Sequence, residues 1–200
     1  MHLLYLGEEM KFPNPEYLTH PNIPKPLHGV NPRSILGREW WDEKRQIAYA
    51  EHNYHCWACG IHKQDAKYHQ WLEAHESYDI NYKTGEVKLL EIIALCHSCH
   101  NFIHSGRMKS LWSKGEMDTD KCLDILLHGL SILSEHNLKP YWVAEYLWYY
   151  INDVVDAYEI PKEAYKDDGD ASWADWHLSI DDKKYYTPYK DIDEWEKRYR

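Results

Sequence analysis

The sequence predicts an α+β fold in which two strands and a short helix, stapled at their base, sit within a mainly helical domain. Three observations predict it. Cys56, Cys59, Cys96 and Cys99 form two Cys-x-x-Cys knuckles with 36 residues between them, a donor set and spacing that suit one tetrahedral structural Zn²⁺. Two apolar runs of strand length lie between the knuckles, in QWLEAHESYDIN and in VKLLEIIAL. The segment LCHSCHNFIHSGR follows at once, and a helix there sets His100 and His104 one turn apart on one face.

The chain ahead of the first knuckle divides in two. Six of its nine prolines fall between Pro13 and Pro32, which opposes regular helix and favours an extended arm over residues 1–37. Such an arm either wraps the protein's own surface or, through Lys25, His28, Arg33 and Arg38, follows a phosphate backbone. From Gly37 to about Asn53 the pattern REWWDEKRQIAYAEHNY reads as a helix, with Trp40, Ile47 and Ala48, and Tyr49 or Tyr54, on an apolar stripe. Trp40 and Trp41 are expected in the core. Residues 38–112 then make up the metal module.

Residues 113–160 read as a helical hairpin. Thr119 to His136 carries Cys122, Ile125, Leu126, Leu130 and Leu133 at helical spacing behind an Asp118 cap. Pro140 ends it, and YWVAEYLWYYINDVVDAY supplies the second helix. Residues 161–200 form an acidic, aromatic extension, with a short hairpin around Asp181 and Asp182 and a terminal helix from Asp191. A chain ending near Tyr158 is expected to keep the metal module.

Composition bounds the function. With 44% hydrophobic residues in 200, the chain can bury one main core, with a small second lobe. No run of about 18 uncharged apolar residues occurs, and MHLLYLGEEMKF lacks the basic start of a signal peptide, so a soluble, cytoplasmic protein is expected. Five cysteines, an odd number, fit a reducing compartment. Cys122, in KCLDILLHGL, is expected to pack as a small hydrophobe. The net charge of −10 argues against broad, tight binding to DNA. Ile151 to Arg200 hold 14 acidic and 8 basic residues, −6 of that total. Arg107, Lys109 and Lys114 are left to form a local positive face with the arm.

His75 in the first strand, with His100 and His104 in the helix, gives three candidate ligands for a second ion. By strand alternation Glu73 shares the His75 face and could be a further ligand, whereas Glu76 points the other way. His55, His62, His69 and His97 also lie near the knuckles.

From Cys56 to Arg107 the chain resembles the HNH, or ββα-metal, nucleases, in their subgroup with four zinc-binding cysteines. The resemblance rests on LEAHE followed by LCHSCH and on CHNFIHSGR, which is similar to the His-x3-His-x-Gly-basic ending of the colicin-type nucleases. PKPLHGVNPRSILGREWW resembles the lead-in of small HNH-like proteins of bacteriophages. The family likeness implies a ββα-metal module with structural zinc and an endonuclease that hydrolyses, or nicks, DNA. It implies that His75, His100 and His104 hold a catalytic Mg²⁺ or Mn²⁺. Glu76 stands where active members place the histidine general base, and Glu91 where they place the asparagine that orients it. Arg33, Arg38, Arg107 and Lys109 are the candidate nucleic-acid contacts. Two other readings stay open: a non-catalytic zinc module acting through a protein partner at its acidic, aromatic carboxyl end, and nucleic-acid recognition without cleavage.

Overall fold

The computed structural model describes residues 12–140 and 171–199. It is an α+β fold with five α-helices and one four-stranded sheet among the described residues. The first two strands, β1 (Glu73–Asn81) and β2 (Glu86–Leu95), form an antiparallel hairpin. Its turn is fixed locally. Asn81 Oδ1 accepts from the amides of Lys83 and Thr84 at 3.1 and 3.2 Å, and Gly85 takes a φ of +71°. A Cβ on Gly85 would also stand 2.9 Å from the Asp175 backbone, so glycine is needed there twice over.

The amino-terminal arm lies on the body of the protein. It is broken by 3₁₀ turns at Pro15–Thr19 and Lys25–Leu27, and buries Leu18 and Leu27. A helix does begin after Gly37 as expected, but the end of the arm is helical too: α1 spans Pro32–Glu51, two helical pieces that meet at Gly37. Pro32 occupies the first helical position, where no amide hydrogen is needed, behind a capping box of Asn31 and Ser34. Gly37, at φ +88°, kinks the helix, so the residue read as its start is a bend within it. Trp40, Trp41 and Tyr49 pack against the main core.

That core is built by β2, the knuckles, α2 (His97–Ile103) and α4 (Thr119–Glu135), with α3 (Ser105–Ser113) beside it. Asp118 caps α4 by accepting from the Lys121 amide at 2.7 Å, and Cys122, Ile125, Leu126, Leu130 and Leu133 are all buried. Gly129 lets α4 approach α2, because a Cβ there would meet the Phe102 ring at 2.2 Å. Gly129→Ala should therefore lower stability by about 1–3 kcal/mol despite the better helix propensity of alanine, read as a reduced urea midpoint. The second helix of the expected hairpin, residues 141–158, lies outside the described residues.

The carboxyl segment is part of the fold, which corrects its reading as a detachable extension. Strand β3 (His177–Ile180) pairs in parallel with β2 through Glu86, Val87 and Lys88, and then turns back into β4 (Lys183–Tyr186). Asp181 and Asp182 both take positive φ in that turn. Trp176, Leu178 and Ile180 form a second core with Leu27 and Val87. Truncation at Tyr158 would unroof that core. The hairpin expected around Asp181 and Asp182 is thus present, but the four-residue strand HLSI is buried throughout, with no alternation to show which face it packs. Helix α5 (Ile192–Tyr199) then returns to the arm, where Trp195 Nε1 donates to His28 Nδ1 at 3.2 Å. No helix among the described residues is long and apolar enough to cross a membrane.

Candidate metal centres

The four knuckle cysteines lie together, their sulfurs within 4.8 Å of one another. The first knuckle is a tight loop in which Cys56 N donates to Ile61 O and Gly60 N to Cys56 O, both at 2.8 Å. Trp57 N reaches Ala94 O at 2.8 Å, which holds this loop against the end of β2. Cys96 is the N-cap of α2 and Cys99 lies in its first turn, where the helix dipole favours thiolate. Cys59 Sγ and Cys96 Sγ are 3.9 Å apart, close to the edge of about 3.8 Å that tetrahedral bonds of about 2.3 Å would give. The set fits a structural zinc.

The thiols also share charge unevenly. A hydrogen bond from Cys56 leads in drawing Cys59 down to about 6, and the bond from Cys56 is likewise the main cause that holds Cys96 far below the usual thiol range. Burial of Cys56, and the bonds that Cys99 makes to the other thiols, push these two the other way, so the negative charge gathers on Cys59 and Cys96. His128, from α4, completes its surroundings, with Nε2 3.4 Å from Cys99 Sγ. Cys59 and Cys96 raise this imidazole to about 10, so a positive charge stands beside the two thiolates. A lone histidine between Leu127 and Gly129 in an apolar helix is the sequence signal for this role. His128→Ala should weaken zinc retention about 10- to 100-fold, measured by competition with a chromophoric chelator.

A second cluster joins β1 to α2. His75, His100 and His104 bring ligand nitrogens within 4.8 Å of one another. His75 Nδ1 lies 3.0 Å from His104 Nε2. That separation suits an N–H···N hydrogen bond and also suits two bonds of about 2.1 Å made at right angles to one ion. His75 Nε2, the ring nitrogen that does not face His104, is buried without a hydrogen-bond partner. Burial first, and the neighbouring imidazoles second, push His75 well down and His104 to about 3, so both rings are neutral donors. These residues fit a divalent ion.

Glu73 does share the face of His75. Its Oε1 accepts from His97 Nδ1 at 2.6 Å, and its Oε2 lies 2.7 Å from His100 Nδ1 at ion-pair distance, outside hydrogen-bond alignment. Burial opposes its charge, yet His100 and His97 hold the carboxyl well below the usual range.

A cavity of about 410 Å³ opens beside the three histidines, lined by His75, His104, Glu76, His20, Tyr78 and Tyr199 among others. Alternation sets Glu76 on the opposite face of β1 from His75, and the cavity at this edge strand borders both. Burial raises the Glu76 carboxyl. His20, unremarked in the sequence, sits edge-on to His75 at 5.7 Å. Its Nε2 accepts from the Tyr78 amide at 2.8 Å and its Nδ1 donates to Pro21 O at 3.0 Å, so both ring nitrogens are committed to holding the arm on the bulged strand. Glu91, at the expected asparagine position, accepts from Tyr17 Oη at 2.8 Å.

The candidate cations separate. Arg33 acts electrostatically on Glu76 and Arg107 on His104, while Arg107 Nη1 also donates to the buried Asn101 Oδ1 at 2.8 Å. Arg38 is 84% exposed and paired with Asp42 at 3.4 Å. Lys109 is exposed on α3. Glu73, His97, His128, His20 and Asn101 are thus the supporting residues that motif spacing could not rank. No family model, curated protein or solved structure matches the chain.

Proposed function

We propose that the chain is a metal-dependent endonuclease of HNH type, cleaving phosphodiester bonds of DNA, with β1, β2 and α2 as its ββα-metal unit. The observation that carries this reading is the meeting of His75, His100 and His104 beside a cavity that also holds Glu76. Zinc stapling needs none of these four residues.

The thiolates of Cys56, Cys59, Cys96 and Cys99 would hold the structural zinc, and the three imidazoles a catalytic Mg²⁺ or Mn²⁺. Such an ion, when bound, supplies Lewis-acid stabilisation for charge developing on the leaving oxygen. Glu76 is the base that takes the proton of the attacking water. A carboxylate ordinarily has a pKa of about 4.3 and is a poor base near neutrality, but burial narrows that gap. Glu73 positions the His100 ring, as a carboxylate behind a ligating histidine does. Arg33, which acts on Glu76, and Arg107, which acts on His104, would contact phosphates of the DNA backbone.

The working form of Glu76 is the carboxylate, and burial raises its pKa. The nicking rate should therefore fall as pH drops through that raised value and level off above it. The test is conversion of supercoiled plasmid to nicked circle with Mg²⁺, Mn²⁺ or Zn²⁺. A second reading, a zinc module that acts through a protein partner, draws on the hold of Tyr17 on Glu91 and on the net charge of −10. Absence of nicking with every ion would favour it.

A further inference from the structure

A third group of ligands lies on the other side of Glu73. His69 in the loop before β1, Glu73 at the start of β1 and His97 at the start of α2 bring one ligand atom each within 4.8 Å of the others. We infer that these three residues form a separate binding site for a divalent first-row cation of the zinc type, joined to the three-histidine cluster through the Glu73 carboxylate.

The donors argue for that class of ion. Two imidazoles and a carboxylate match borderline cations such as Zn²⁺, whereas Ca²⁺ and Mg²⁺ prefer sites made of oxygen. The donors are also held from behind. Asn101, fully buried, donates through Nδ2 to His97 O at 2.9 Å and accepts from Arg107 at 2.8 Å, which fixes the first turn of α2. The His69 ring is stacked on Trp71 at 4.1 Å and meets the His97 ring edge-on at 4.2 Å. Trp71 is 57% exposed, so the site opens to solvent on the His69 side, leaving coordination positions for water or an exchangeable ligand.

Glu73 ties this site to its neighbour. One oxygen contacts His97 and the other His100, at 2.6 and 2.7 Å, so one carboxylate serves both histidine groups. A cation bound by His69 and His97 draws on the same carboxylate that stands behind His100. Occupancy of the two sites should therefore be coupled, whether or not the three-histidine cluster is catalytic.

The experiment is metal content of the full-length protein after equilibrium dialysis against buffered Zn²⁺, comparing wild type with His69→Ala, His104→Ala and the double variant. Circular dichroism checks that each is folded, and His69 at the surface makes its variant the milder change. Three ligand groups predict three equivalents in wild type, two in each single variant and one in the double. Should His69→Ala retain all the zinc of wild type, the new site is overturned, even if His104→Ala loses an equivalent. Loss of an equivalent in His69→Ala with none lost in His104→Ala upholds the new site and removes the three-histidine one.

Discussion

Cys96→Ser should yield protein that is insoluble or lacks a cooperative melting transition. Cys96 ends β2, caps α2 and faces Cys59 across the knuckles, so one sulfur joins three parts of the main core. Zinc binding to such a site contributes on the order of 10 kcal/mol of apparent free energy to folding, and a domain of this kind has only about 5–15 kcal/mol in total. Removing one of four donors thus takes away most of the margin. The residual hydroxyl is a poor zinc ligand and leaves the sulfurs of Cys56 and Cys99, buried, and of Cys59, half-buried, to share their charge. The measurements are soluble yield, circular dichroism and the thiolate-to-metal charge-transfer absorption of the Co²⁺-loaded protein. A Cys96→Ser protein that melts like wild type and keeps the full thiolate band would overturn the staple.

The staple was legible because it is local: two knuckles, each a four-residue word, need no knowledge of the rest of the fold. The amphipathic α4 and the strands on either side of Gly85 were legible for a similar reason, since each presents its own periodicity or turn chemistry. What escaped the sequence depends on partners far along the chain. His128 meets Cys99 29 residues away, His20 meets Tyr78 58 residues away, and Tyr17 meets Glu91 74 residues away. The parallel pairing of β3 with β2 joins segments about 90 residues apart, and no local pattern could anticipate it. Parity reasoning succeeded for Glu73, which lies in a regular part of β1. The same alternation sets Glu76, paired with Ile92 in the regular ladder, on the other face of the edge strand, yet the cavity reaches both.

His104→Ala and Glu76→Gln together separate the two halves of the proposed mechanism. His104 closes α2, its amide donating to His100 O at 3.1 Å, and alanine preserves that backbone bond. Only the imidazole is lost, so the protein should stay folded with its thiolate site intact while nicking falls below detection. Glu76→Gln keeps shape and removes the proton acceptor. Loss of a positioned base costs about 10²- to 10⁴-fold in rate, with ion binding at the histidines unchanged. The pH profile distinguishes a base from a residue that merely lines the cavity: wild type should lose rate as acid protonates Glu76, and the residual activity of Glu76→Gln should lack that limb. Unchanged rate in Glu76→Gln would remove the carboxylate from the mechanism. Unchanged rate in His104→Ala would place the chemistry, if any, away from the three histidines. Both outcomes can be read from one plasmid assay, because the four knuckle cysteines, the proposed zinc staple, include none of the substituted side chains.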